Sequence, residues 1–287
     1  MQKGTNNKTV LDKLNSSQIP VLTPGTPALL ESLSDETLNF DDTAKIIEQF
    51  PGIAARLIAL ANSAWSAPVK EITSLEMACS RLGLNVVRGL SVALVLASPF
   101  DASRCEQFDA EYYWSNALLV AEAASMLQPL VDVNQEYEAS TARTAGLLHN
   151  LGILLLVDQL PLEMNQAFKL FREEKVDNIH QALLEVLGCD DGEVGKWLGD
   201  NWFLPEPIVN AMSYYNDLNY SGNHNSLVST VGLAVILVST YHHGYPLDLI
   251  EQRCEVMAIR MSDIEKIQQR LAQHSDKLKA LAAALFN

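Results

Sequence analysis

Apolar positions recur every three or four residues along almost the whole chain, which is the period of one helix face. Ala44, Ile46, Ile47 and Phe50 follow the acidic pair Asp41-Asp42, and Pro51 suits the first turn of a helix carrying Ile53, Leu57, Ile58 and Leu60. Thr73-Ser74-Leu75-Glu76 has capping-box spacing for a helix that Gly83 can close in a left-handed conformation, and Asn85 is placed to cap residues 86–97. Asp109 opens a long helix that Pro129 is expected to stop; the greasiest helix is expected from about Asn134 to Leu156. Pro161 begins another over 162–174, and Asn178 caps a segment ending at Gly188. Asp190-Asp191 are placed to cap 193–202, after which Pro205 and Pro207 restart the pattern through Tyr215. No alternating strand pattern or internal repeat competes, so the expected fold class is all-α, a single multi-helix bundle.

The two ends differ from this middle. Residues 1–18 read as a polar leader, and three prolines within 19–27 favour extended backbone at the entrance to the domain. A polar loop at 219–225 precedes an apolar helix over 227–240, which closes a domain of residues 19–240. Residues 241–287 form a C-terminal helical extension. There Ser262-Asp263-Ile264-Glu265 has capping-box spacing, and Ile264, Ile267, Leu271, His274, Leu278, Leu281 and Leu285 recur as a heptad-like seam. Such a seam packs either onto its own domain or onto a second copy as a homodimer, and a buried His274 would lend it pH sensitivity.

Composition narrows the function. The 287 residues carry 20 Lys and Arg against 35 Asp and Glu, a formal net charge of -15 with no basic run, which argues against a nucleic-acid partner. Cys79, Cys105, Cys189 and Cys254 form no C-x-x-C pair, so reduced thiols are expected. No apolar run approaches the roughly 18 residues of a membrane span or forms a signal core; the expected location is the cytoplasm. P-loop, dinucleotide-binding, nucleophile-elbow and zincin strings are all missing from the sequence, and no cofactor is implied.

Several blocks in order carry a family likeness: Leu60-Ala61-Asn62-Ser63-Ala64, Ile72-Thr73-Ser74 with Leu82-Gly83, Thr144-Ala145-Gly146-Leu147-Leu148-His149-Asn150-Leu151-Gly152, and Glu193-Val194-Gly195 through Trp202, Leu204-Pro205 and Ile208. Together they resemble the HDOD family of bacterial signalling proteins, related to the HD-domain phosphohydrolases. The resemblance implies a helical bundle in which the enzymes hold divalent metal through a histidine, a His-Asp pair and a further aspartate, the ion making hydroxide from water. Carried over position by position, those ligands are largely replaced. Asn116 stands where a histidine is expected, the His-Asp pair reads His149-Asn150, and Asp191 takes a position where many relatives carry histidine. Tyr214-Tyr215 replace a double histidine, and Val235 replaces the last aspartate.

An amide binds a hard cation far more weakly than a carboxylate, and valine does not bind one at all. The expected function is therefore a non-catalytic signal-transduction module of the HDOD type that binds a protein partner or a small ligand, with Asn116, His149, Asn150, Asp191, Tyr214, Tyr215 and Val235 lining a degenerate pocket. Two alternatives stay open. One is a divergent metal-dependent phosphohydrolase with Asp190, Asp191 or Glu193 as replacement ligands. The other is a nucleotide or metabolite sensor using the pocket itself. Of the tyrosines, both are expected to fill space that a metal cluster would occupy; the Asp190–Glu193 carboxylates read as helix capping, and His180, His224 and His274 carry no expected chemistry.

Overall fold

The computed structural model describes residues 20–35, 37–63, 66, 68, 70–131, 136–243 and 247–286, together with Val10 and Leu14. Every regular element among them is a helix. The first five are α1 (Thr26–Ser34), α2 (Phe40–Ile47), α3 (Pro51–Ala61), α4 (Leu75–Leu82) and α5 (Leu84–Ala97). The central ones are α6 (Ala110–Val131), α7 (Ala139–Leu148), α8 (Leu151–Gln159), α9 (Pro161–Arg172) and α10 (Ile179–Leu187). Then come α11 (Asp191–Asn201), α12 (Glu206–Tyr214), α13 (Asn225–His243), α14 (Leu247–Val256) and α15 (Met261–Phe286). Most of the leader, Ala64, Trp65, the expected helix start at Asn134 and the side chains of His242, His243 and Leu285 lie outside the description. Val10 and Leu14, spaced by one helical turn within that leader, are buried in the core.

Helix α6 is the hub, with α7, α13 and α15 all packed along it. Its composition suits that position, since Ala117, Ala121 and Ala124 are small enough for neighbours to approach and Leu119, Val120 and Leu127 fill the gaps. A Cβ on Gly146 of α7 would stand 3.0 Å from the Ala121 Cα, so the α6–α7 contact is close to backbone-on-backbone. Pro129 does not end α6, which runs on to Val131. So near the C-terminus a proline removes a single backbone bond from the last turns and leaves the rest intact.

The expected caps hold in part. Asn178 caps α10, accepting from the Gln181 amide at 2.9 Å, and Gly188 closes that helix with a φ of 75°. At α4 the cap falls one residue later than the capping-box spacing suggests: Ser74 accepts from the Met77 amide at 3.1 Å. Gly83 has positive φ (87°) but an extended ψ (144°), and it starts α5 directly, so Asn85 is not the cap. Asn39 caps α2, which leaves Asp41 and Asp42 in its first turn, where carboxylates complement the helix dipole. Asn62, within one of the family-like blocks, clamps the following loop: its amide accepts from the Ile72 N–H at 2.8 Å and donates to the Ile72 carbonyl at 2.7 Å.

The C-terminal seam is spent inside the chain. Ile264, Ile267, Leu271 and Leu281 are buried on α15, and that helix lies along α6. The buried position between Leu271 and Leu281 belongs to Ser275, whereas the His274 side chain is 47% exposed at the flank, near Glu122. A straight helix drifts relative to a strict seven-residue repeat, and this drift carries His274 out of the seam and Ser275 into it. No capping box forms at Ser262, because α15 already begins at Met261 and Asp263 pairs with Arg260 and Lys266.

Candidate functional site

The expected helix over 134–156 is two helices. Between α7 and α8 the backbone leaves helical geometry at Asn150 (φ -106°, ψ 19°), whose carbonyl accepts from the Tyr113 hydroxyl of α6 at 3.2 Å. The bend turns His149 and Asn150 inward, 3% and 6% exposed. They line a cavity of about 320 Å³ together with Tyr113 and Asn116 of α6, His180 of α10, Tyr215 beyond α12, and Val235 and Ile236 of α13. Phe108, Phe168 and Phe171 form an aromatic wall, the first two with ring centroids 6.1 Å apart.

His149 has a defined tautomer. Its Nδ1 lies 2.6 Å from the Gly146 carbonyl, and a carbonyl can only accept, so Nδ1 carries the hydrogen and Nε2 presents a lone pair. Burial pushes the imidazole pKa down to about 4 against the pull of the Gly146 carbonyl and the Asp191 carboxylate. It is neutral at physiological pH. The ring packs edge-on against Tyr215, with centroids 5.0 Å apart.

Behind Tyr215 lies a group that spacing along the chain did not reveal. Asp191 is fully buried, and both its carboxylate oxygens are engaged: Oδ2 accepts from the Tyr215 hydroxyl at 2.7 Å, and Oδ1 pairs with Nδ1 of His180. His180 Nε2 meets the Asn216 amide at 2.6 Å and the Tyr215 hydroxyl at 3.3 Å. Burial alone would depress the His180 pKa, but the Asp191 carboxylate outweighs it and the imidazole is raised. Burial would likewise raise Asp191, yet His180 and the Tyr215 hydroxyl hold it below the usual carboxylate range. The result is a buried, hydrogen-bonded Asp–His pair with a tyrosine bridging its two partners.

Three expectations are corrected here. Asp191 is not a cap: Asp190 takes that role, accepting from the Glu193 amide at 2.9 Å in a capping box that returns the Glu193 carboxylate to the Asp190 amide. Only one tyrosine enters the site. Tyr214 faces away and stacks on Tyr220 at 4.6 Å, because adjacent residues at a helix C-terminus point about 100° apart. His180, given no chemistry by its spacing, is the partner of Asp191. Its only signal in the sequence was a place in the first turn after the Asn178 cap, and the eleven-residue separation from Asp191 is closed by the turn between α10 and α11.

The donor set does not suit the divalent metal that the resemblance implies. Among the described residues no three His, Cys, Asp or Glu side chains converge on one point. Asp191 has committed both oxygens, Asn116 and Asn150 offer neutral amides, Val235 offers nothing, and Asp190 and Glu193 hold one another at the α11 N-terminus. Among these cavity residues only His149 Nε2 remains as an uncommitted imidazole donor.

The HDOD domain profile matches residues 19–218. An uncharacterized protein of Treponema pallidum is 26% identical over 223 residues, covering 75% of this chain, and the chain spans 41% of that protein's length. Among solved structures, a candidate signal transduction protein from Marinobacter aquaeolei superposes with a TM-score of 0.81 at 20% identity, over 98% of this chain and 67% of that one. An HDOD domain protein of unknown function from Geobacter sulfurreducens gives 0.75 at 22% identity, over 98% of both chains. A candidate phosphohydrolase from Shewanella amazonensis gives 0.70 at 22%, over 96% of this chain and 97% of that one. These likenesses are to the fold. Among the described residues no single helix is long and apolar enough to cross a membrane.

Proposed function

Since the chain belongs to the HDOD family, we propose that it is a non-catalytic regulatory domain of bacterial signalling: the cavity beside His149 receives a small ligand, and the outer helices pass the bound state to a protein partner in the cytoplasm. The observation that carries this reading is the engagement of Asp191. A carboxylate whose two oxygens already accept from Tyr215 and His180, and which is not on the cavity lining, is poorly placed to ligate an ion there, and the amides of Asn116 and Asn150 do not replace it. Without a cation to acidify water, the site lacks the hydroxide that phosphoester hydrolysis needs. Space remains, at about 320 Å³, the lower end of the range that small-molecule pockets occupy. The excess of carboxylates and the buried, unpaired cysteines fit a role in the cytoplasm away from nucleic acid.

The test is direct. Protein dialysed against manganese, iron or magnesium and then desalted should retain substoichiometric metal by mass spectrometry. Bis(p-nitrophenyl) phosphate should be hydrolysed no faster than by His149→Ala. Stoichiometric metal together with turnover lost in His149→Ala would establish a phosphohydrolase and end this reading.

A further inference from the structure

Three uncharged polar groups on the cavity lining have no partner among the described residues. Among the described residues nothing hydrogen-bonds the side chain of Asn116, the amide of Asn150 or Nε2 of His149, although all three line the space and the last two residues are more than nine-tenths buried. The Asn150 Oδ1 in particular is buried without a partner. A buried amide left unpaired is costly, so a void faced by the Asn150 amide, with the open edges of Asn116 and His149 beside it, is completed by whatever enters it. Two carboxamides offer donors and acceptors side by side, and the neutral imidazole offers an acceptor. None of them carries charge.

Apart from the His180–Asp191 pair, charge is confined to the mouth. Arg172 is the sole Lys or Arg on the lining, it is exposed, and both its terminal nitrogens are spent on Gln107, at 2.8 and 2.7 Å. Asp109 is occupied in capping α6, and Asp177 is exposed. An anion inside would meet no cation but His180, which is already paired with Asp191, and would face the buried Asp191 carboxylate behind Tyr215. A cation inside would find no buried carboxylate left unengaged, and only the exposed Asp177 at the mouth. The aromatic wall of Phe108, Phe168 and Phe171 favours a flat apolar body.

Resting on the reading of this site as a ligand cavity, we infer that it selects a neutral planar heterocycle or aromatic amide with adjacent hydrogen-bond donor and acceptor atoms, a nucleobase-like edge without its phosphate, held by the amides of Asn116 and Asn150 and by Nε2 of His149. An edge of that kind matches a carboxamide through two bonds, the geometry by which asparagine reads adenine.

Isothermal titration calorimetry with four probes tests this on the full chain: adenine, and the isosteres benzamide (neutral), benzoate (anion) and benzamidine (cation). Adenine and benzamide should bind with Kd at or below about 1 mM, and benzoate and benzamidine about ten-fold or more weaker. Asn150→Leu should weaken adenine and benzamide by about ten-fold, since an unmet polar edge is then buried against the leucine. Because Asn150 sits at a helix break, Asn116→Leu, at a less buried position, provides the second variant, and Val235→Trp should block all binding by filling the space; circular dichroism checks each fold. Benzoate equal to benzamide, adenosine monophosphate tighter than adenine, binding that persists in Val235→Trp, or no binding by any probe would each overturn the inference. Absence of probe binding leaves the non-catalytic assignment standing, whereas metal-dependent turnover removes that assignment whatever the probes do.

Discussion

The buried pair of Asp191 and His180 makes a stability prediction with a defined sign. Consider His180→Gln, Asp191→Asn and the double variant. The His180 side chain is 18% exposed and that of Asp191 not at all, so removing the histidine strands a carboxylate with only the Tyr215 hydroxyl for company. Breaking a buried pair in this way costs about 3–5 kcal/mol. Asp191→Asn keeps an acceptor for Tyr215 and strands no charge, because His180 can lose its proton; the cost should be about 1–3 kcal/mol. In the double variant nothing charged is left behind, so its cost should fall short of the sum by about 2–3 kcal/mol.

The same pair sets a pH dependence. His180 has a raised pKa in the folded protein, so above the unfolded value of about 6.5 the native state holds a proton that the unfolded chain does not. Stability is therefore lost as pH rises through the folded pKa, with a slope of up to about 1.4 kcal/mol per pH unit. Asp191 is depressed, so its share is present above about 3.9 and is lost only as pH falls through its lowered folded value. His149, pushed down to about 4, acts below about 6.5 in the acid-destabilising sense and leaves the alkaline limb to His180. Urea unfolding followed by circular dichroism from pH 6 to 9 measures this limb. An alkaline slope that survives unchanged in Asp191→Asn, or single and double variants that simply add, would refute the pairing.

Two further perturbations test the packing around the site. A Cβ on Gly152 would stand 2.3 Å from the Asp191 carbonyl and 2.8 Å from the Gly195 amide, so Gly152→Ala should cost at least about 3 kcal/mol by forcing α8 from α11; Gly52→Ala, with nothing within 4 Å, should be neutral or slightly stabilising, and equal melting temperatures for the two would contradict the close approach. Leu271→Asp places a charge on the face of α15 that packs along α6, where Leu271 is 4% exposed; a loss of at least about 3 kcal/mol in thermal unfolding is expected, and an unchanged melting temperature would mean that this seam is not core.

Sequence periodicity disclosed the helices because burial on one face repeats locally. Pro51, Pro161, Asn178 and Gly188 marked true boundaries, since each acts on the backbone within a turn of itself. Where the marks misled, competition within the same turn was the reason: Ser74 outdid Thr73, Asp190 outdid Asp191, and Pro129 lay too near the end of α6 to break it. The break at Asn150 could not be read from hydropathy, because apolar residues continue on both sides of it and what meets the chain there comes from elsewhere: Tyr113 on the Asn150 carbonyl and the backbone of α11 against Gly152. In the site, Asn116, His149, Asn150, Tyr215 and Val235 line one cavity, whereas Asp191 and Tyr214 are not on its lining. His180 did not announce itself, since its chemistry begins only when α10 and α11 fold against each other.

The walls of the cavity are held by contacts independent of any ligand. Gly152 brings α8 onto the Asp191 carbonyl, a Cβ on Gly192 would fall 2.6 Å from the Ser213 carbonyl, and one on Gly232 would fall 2.4 Å from the Tyr215 carbonyl. Three backbone approaches thus fix α8, α11, α12 and α13 around the Asp191–Tyr215 pair. A scaffold set by backbone contacts keeps its shape when the side chains facing the void change. The amides of Asn116 and Asn150 and the isopropyl group of Val235, standing where the resemblance implies metal donors, face a cavity of about 320 Å³ within that frame. On the proposed reading, the side chains facing that space favour uncharged ligands with hydrogen bonds to exchange, a chemistry set by the side chains and not by the frame that carries them.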